Sequence, residues 1–533
     1  MRRRTLLKTA SAAAAAAALP SRFAIAQSNN GAGTNKLLRY IPTADLSVLD
    51  PSWTTTQVSI THGYYVFDTL FAIDSEQKPQ PQMAENYSVS DDGRTWDIKL
   101  RDGLTFHDGE KVLARDAAAS LKRWSARDVY GQTLGAYVES FGTTDDRTIR
   151  IKLKSPFPLL LDALAKPNGM LPVVMPERLA NSDLAKPITE MVGSGPYRFL
   201  PKEFVPGGSG AYEKFQAYVP RNEKPSWASG GKHAFIERIE WKIINDSSTA
   251  SAALQKGEVD WWEQVQPDLL PLLRKNPDLT VTNFNPVGFF GCMRFNHLNP
   301  PFDNPAIRRA VRLGMNQDDY MSAVTGNDSS IYRTCKALFP CGTPYGDDLG
   351  TAQMTGDVAA ARAALKAAGY AGEKVVILNP ADVPTIGPFG HVTFDYLKQI
   401  GMNVELQSMD WNTLAQRRTK LEPTDKGGWS IFHNWWLGTS ISNPAISAVV
   451  RGLGAKGWAG SFSHEKIEAL TAEWTAAPAD ADRMRLAKLI HREAMDAVPA
   501  VILGRFFILS AHRKGLRGLL DGTAPFPWNL SWA

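Results

Sequence analysis

Acid–base and metal chemistry have little to work with in this sequence. Nine histidines are scattered along 533 residues, and His107, His433 and His464 stand in no spacing that would make a metal site. No His-Glu-x-x-His and no nucleophile elbow occurs. The acidic pairs at 91–92, 145–146, 318–319 and 347–348 lie in loop-like contexts and read as turns or caps. "GLGAKG" (Gly452 to Gly457) fits Gly-x-Gly-x-x-Gly in form only, because Trp458-Ala459-Gly460 follows it where a helix should start. "GGSG" (Gly207 to Gly210) is a flexible loop of the same kind. The expectation is no catalytic residue, no cofactor and no metal.

Net charge is also missing from the body of the chain. Five of the 59 basic residues (Arg2, Arg3, Arg4, Lys8 and Arg22) lie in the first 26 positions, which hold no acid; the 54 that remain equal the 54 acidic residues. A neutral body presents no basic field for nucleic acid or an anionic membrane. No internal repeat is visible. Beyond the N-terminus, no run approaches the roughly 20 apolar residues that a membrane-spanning helix needs. A chain this long is expected to form several domains.

The N-terminus accounts for the charge. "MRRRTLLKTASAAAAAAALPSRFAIAQ" has a basic start, an apolar stretch from Ala10 to Leu19, and "AIA" before Gln27. Residues 1–26 read as an export signal, and "RRTLLK" resembles the twin-arginine pattern. The mature protein is expected to be periplasmic, soluble and monomeric. In an oxidising compartment, Cys335 and Cys341 are spaced to form a disulfide. Cys292, in the apolar "VGFFGCM", reads as a buried thiol.

Apolar periodicity gives the architecture. "LLRYIPTADLSVLDP" reads as a strand entering a loop, and "THGYYVFDTLFAID" as a helix. Strands are expected in "TWDIKL", "RTIRIKL", "GSGPYRF" and "FIERIEWKII", and an amphipathic helix in "ARDAAASLKRW". "DSSTASAALQKGEVDWW" predicts a helix capped at Asp246 or Ser247, stopped by Gly257, and followed by a short strand. From "VGFFGCMRFN" onward, strands and helices alternate, which predicts an α/β region with a largely parallel sheet. Ligands of such folds sit at strand carboxyl ends or between lobes.

Aromatic residues offer the first hint of such a site. Of 15 tryptophans, five cluster between positions 411 and 458: Trp411, Trp429, Trp435, Trp436 and Trp458. Trp435 and Trp436 open "WWLGTSISNP", a stretch with no group that can act as an acid or a base. An uncharged aromatic wall is the reading that fits.

Several stretches together resemble one family. "GLTFHDGEKVLARDAAASLKRW", "VLDP", "GSGPYRF", "KGEVD" and "RFNHLNPPFDNPAIRRAVRLGMN" are similar, in order, to segments of the extracytoplasmic solute-binding proteins of family 5, the dipeptide, oligopeptide and nickel receptors of ABC importers. The resemblance implies an α/β chain of the type II periplasmic-binding-protein fold: two lobes joined by two hinge strands, with an accessory domain inserted in lobe I. Lobe I is expected from 27–70, 190–285 and 499–533, the accessory domain from 71–189, and lobe II from 286–498. The hinges are placed near Phe284–Gly288 and Ala497–Val501. His107 belongs to an accessory-domain turn, and Arg308 and Arg309 are structural.

The same resemblance implies a ligand site. It takes in Thr43, Ala44, Asp45 and Leu46, then Val287, Gly288, Phe289 and Phe290, and the wall Trp435, Trp436, Leu437, Gly438 and Ser440. Arg418 is a candidate for a ligand carboxylate, and Trp458 joins from the aromatic pattern. Peptide receptors of the family place an aspartate at the position of Ser440 to pair with the peptide ammonium, and often a second acid at that of Asn443. A serine cannot neutralise a buried ammonium, although Asp45 could supply a replacement acid. The implied partners are a small solute (a peptide, opine, sugar-like compound or aromatic acid) and the permease and ATPase subunits of an importer. An exported hydrolase or a sensor-type binding protein is the alternative.

Overall fold

Strand alternation divides the chain between two large sheets. The computed structural model describes residues 36–533, which form one compact unit. The export reading of residues 1–26 lies outside the described residues.

The first sheet runs Tyr197–Phe199, Ser209–Lys214, Arg238–Lys242, Leu37–Ile41, Trp261–Trp262, Ser510–Arg513, Leu279–Thr282. Leu37–Ile41 is parallel to both of its neighbours, and every other pair is antiparallel. In Arg238–Lys242 the buried residues are Ile239 and Trp241 while their neighbours are half-exposed. The helix Ser247–Lys256 starts where the Asp246 carboxylate accepts the Thr249 amide and stops where Gly257 turns left-handed at φ 75°.

A four-stranded antiparallel sheet lies within residues 84–153. The helix Ala114–Ser125 packs against it, its first turn closed by the Asp116 carboxylate accepting the Leu113 amide at 2.8 Å. "THGYYVFDTLFAID" does not form one helix. The helix spans Gln57–Val66; Asp68–Thr69 and Phe71–Ile73 then pair as strands with Val173–Val174 and Pro79–Pro81. Aromatic and β-branched residues are at home on a sheet as much as in a helix, and these tertiary pairings decide between the two.

The second sheet runs Tyr332–Arg333, Ala500–Phe506, Phe289–Phe295, Ile431–Leu437, Lys374–Pro380, Asn403–Met409. It is mixed, not largely parallel. Lys374–Pro380 is parallel to both of its neighbours, whereas Phe289–Phe295 is antiparallel to both of its own. Strand–helix–strand crossovers build only the stretch from Lys374 to Leu437. Phe289–Phe295 and Ala500–Phe506 are instead the strands by which the chain enters and leaves this lobe.

The chain passes from the first sheet to the second between Thr282 and Phe289 and returns between Phe506 and Ser510. The return therefore falls later than the expected Ala497–Val501. Ala500–Phe506 pairs with Phe289–Phe295 along its length and cannot belong to the first sheet. Before that strand, the helix Asp480–Ala497 ends against three arginines of the helix Pro305–Leu313. Arg308 donates to Ala497 O at 2.7 Å and Val498 O at 3.1 Å, Arg309 donates to Asp496 O at 3.1 Å, and Arg312 donates to Met495 O. Cations at a helix C-terminus satisfy its free carbonyls and oppose its dipole. Cys335 and Cys341 are disulfide-bonded, and Cys292 is a buried thiol.

Candidate ligand-binding cleft

Three neighbouring strands of the second sheet carry the wall. Phe290 stands opposite Trp436 on one side and Arg505 on the other; Phe289 stands opposite Leu437 and Phe506. Directly opposed residues share a face and successive residues alternate. The two tryptophans therefore point to different faces. Trp435 joins Phe289 (ring centroids 4.9 Å apart) on the face of Phe506, with its indole N–H donating to Thr385 Oγ1 at 3.0 Å. Trp436 joins Phe290 and Arg505, its ring 5.1 Å from Trp458. Trp458 in turn packs on Phe432 at 5.4 Å and over the Arg294 guanidinium at 4.8 Å. Of the expected wall, Trp436, Phe290 and Trp458 come together; Trp435, Phe289 and Leu437 associate with the core on the other side.

The wall is joined closely to the segment where the chain enters the lobe. Gly438 donates its amide to Gly288 O at 3.0 Å. A Cβ on Gly438 would lie 2.3 Å from Val287 Cγ1, and one on Gly288, at φ 74°, would lie 2.9 Å from Phe506 O. Both approaches require glycine. Next along the wall, Thr439 is buried and its hydroxyl accepts the Asn168 amide. Asn168 comes from the stretch expected to form the accessory domain, and its sequence context did not mark it. Ser440 is half-buried. Asn443 uses its carbonyl oxygen to accept the amides of Ala445 (3.0 Å) and Ile446 (3.3 Å), which fixes the turn after the wall.

On the loop after Leu37–Ile41, Leu46 is buried, Ala44 is exposed, and Asp45 accepts the Gly207 amide at 2.9 Å. Thr43 donates its amide to Glu263 Oε2 at 2.7 Å, and the Tyr40 hydroxyl donates to the same oxygen at 2.5 Å. The other oxygen, Glu263 Oε1, is buried without a partner. Burial pushes this carboxyl up to about 7, against the two hydrogen bonds, which pull it down. The sequence signal was an acid ending "VDWWE" at a strand carboxyl end, and it was missed.

Arg418 is half-buried over Phe432 (5.3 Å) and Trp411 (5.4 Å), four residues down the strand from Trp436. Burial lowers its pKa from the ordinary arginine value. Four strand residues span about 13 Å, so Phe432, and Arg418 with it, lies farther back along the strand than Trp436 and is joined to it through Trp458. Among the described residues, no group of three or more His, Cys, Asp or Glu forms a cation site, and no helix is long and apolar enough to cross a membrane.

This arrangement accompanies a family match over most of the chain: residues 78–457 fit the model of bacterial extracellular solute-binding proteins, family 5. The chain belongs to this family. It is 35% identical, over all of its length and 99% of the relative's, to a probable peptide ABC transporter periplasmic-binding protein of Sinorhizobium fredii. It is 26% identical to the glutathione-binding protein of Pectobacterium atrosepticum, covering 88% of each chain. A periplasmic binding protein of A. tumefaciens, solved with agropinic acid, superposes with a TM-score of 0.77 over 93% of this chain and 99% of its own, at 21% identity. The fold is the family's type II fold, and the family is one of ABC-importer solute-binding proteins.

Proposed function

We propose that this protein is a periplasmic receptor that closes two lobes over a small organic solute and presents it to the permease and ATPase subunits of an importer. The observation that carries the reading is the acid-free aromatic wall at the carboxyl end of Ile431–Leu437, where Phe290, Trp436 and Trp458 meet Gly438, Thr439 and Ser440. Aromatic faces with a few placed polar groups are what a solute site needs. The names of the relatives, which carry peptide, glutathione and agropinic acid, support a solute of similar size. An acid-free wall argues against a peptide held by its free ammonium in the family's usual way.

In this reading, residues 1–26 are an export signal. Lobe I comprises 27–70, 190–285 and the end of the chain; residues 71–189 form the accessory domain; lobe II runs from 286 through the strand Ala500–Phe506. Thr43, Ala44, Val287 and Ser440 line the solute beside the aromatic wall. Closure works by differential affinity: the solute touches both lobes only when they are shut, and so favours that state.

Native mass spectrometry of protein purified from its own periplasm tests the reading, paired with thermal melting in a solute library. A solute held well above its Kd stabilises by roughly 2–4 kcal/mol. Absence of any retained solute, together with a flat response to peptides, opines, sugars and aromatic acids, overturns it; turnover of the bound solute would make the protein an enzyme.

A further inference from the structure

Arg505 stands in the row of Phe290 and Trp436 with no negative charge to match it. Its guanidinium donates to two backbone carbonyls, Cys341 O at 3.3 Å and Pro286 O, and packs on Phe507 at 4.8 Å and Phe290 at 5.9 Å. Among the described residues, no carboxylate acts on Arg505, and its Nε is buried without a partner. A guanidinium has five N–H donors, so donors remain unused.

The neighbour across the strands makes the imbalance worse. Arg333 is directly opposite Arg505 in the ladder, and its own guanidinium turns back onto the carbonyls of Ser329, Ser330 and Tyr332. Like charges directly opposed on adjacent strands repel. Burial first, and then Arg333, lower the Arg505 pKa from the ordinary arginine value. Carbonyl dipoles solvate such a cation without neutralising it. An anion beside this pair would offset both the repulsion and the desolvation.

The setting favours a ligand as the source of that anion. Pro286 belongs to the segment by which the chain enters the lobe, and Cys341 to the disulfide loop, so the guanidinium is held at the rim where the wall begins. We propose that Arg505 takes a carboxylate of the bound solute, with Arg333 adding a second positive charge at the same rim. The inference rests on the receptor reading above and narrows it to carboxylate-bearing solutes recognised through their acid group. It also gives the serine at position 440 a context: the charge recognition moves from an acid that holds an amine to an arginine that holds an acid. Planar bidentate pairing with carboxylates is the geometry in which arginine exceeds lysine.

Matched probes test it on the purified full chain. Glutathione, agropinic acid, N-acetyl-alanyl-phenylalanine and the C-terminal carboxamide of that last compound are titrated against wild type, R505Q and R333Q, following tryptophan fluorescence and melting temperature. The expected result is that one or more acids bind wild type, that the carboxamide binds at least about tenfold more weakly than its acid, and that R505Q weakens acid binding by about tenfold or more. R333Q, an exposed site, should weaken it less and keep the wild-type fold by circular dichroism; if R505Q does not fold, R333Q and the acid–amide pair decide. Equal affinity for acid and amide, or wild-type affinity for the acids in both variants, overturns the proposal and leaves the receptor reading intact. Wild type that binds neutral solutes but no acid does the same. A wild type that responds to no probe and carries no solute through purification overturns the receptor reading, and this inference with it.

Discussion

Asn168 and Thr439 meet side chain to side chain, both buried, across 271 positions of sequence. One residue belongs to the proposed accessory domain and the other to the proposed solute wall. Under the proposed domain bounds, their hydrogen bond links the accessory domain to lobe II. A neutral hydrogen bond contributes about 0.5–1.5 kcal/mol. In a double-mutant cycle with N168A and T439A, the coupling energy in ligand affinity should fall in that range. Strict additivity would show that the bond does not contribute to closure.

Face assignment separates the two tryptophans. W436A should weaken solute binding several-fold and leave the denaturation midpoint nearly unchanged. W435A should cost roughly 2–4 kcal/mol of stability, because its ring packs on Phe289 and its N–H is bonded to Thr385, both away from the wall. Urea unfolding and fluorescence titration on both variants distinguish the roles, and the reverse pattern would reverse the assignment.

Gly438 has no room for a methyl group against Val287 and Phe290. G438A should lower stability by about 1–3 kcal/mol, the usual cost of overpacking, and should displace the wall from the entering strand. A variant with an unchanged melting temperature and unchanged affinity would mean that the two segments separate freely.

Glu263 gives a pH signature. In the unfolded chain its carboxyl ionises near its ordinary 4.5, and in the folded chain near 7. Between these values the folded protein keeps a proton that the unfolded chain has released. Stability should therefore fall as pH rises from 4.5 to 7 and level off above, with a total cost of about 3 kcal/mol. E263Q cannot ionise, and the difference in stability between wild type and E263Q should follow this curve. A difference independent of pH would show that Glu263 ionises in the fold as it does in water.

Local signals were readable because their physics is local. The helix cap, at Asp246 of the two positions offered, the Gly257 stop and the alternation in Arg238–Lys242 each depend on a few neighbouring residues, and each is found where the sequence allows it. The site was less readable because it depends on pairing across distance. Which tryptophan faces Phe290 is fixed by the register between strands more than 130 residues apart. Glu263 becomes a buried partner of Thr43 only after Trp261–Trp262 is set beside Leu37–Ile41. The helix Trp411–Arg417 sets Arg418 over Phe432, a contact that the linear sequence does not show. The parallel pairs of the second sheet announced themselves through alternating helices and strands, whereas its antiparallel pairs join remote segments and left no periodic trace.

The three arginines that grip the end of Asp480–Ala497 have a mechanical consequence. They brace the last helix against Pro305–Leu313 immediately before the strand that leaves the lobe, so that end of the return path resists bending. Flexure is then concentrated in Phe507–Leu509, a span of about 10 Å when extended. The other crossing, from Asn283 to Gly288, is twice as many residues long, and its far end is latched to Gly438. If the two crossings are the hinges, two short links of unequal length, each anchored on the same lobe, would act as a pivot with one preferred axis. The lobes should swing along a single arc instead of twisting freely, and the aromatic wall should travel that arc as a rigid plate.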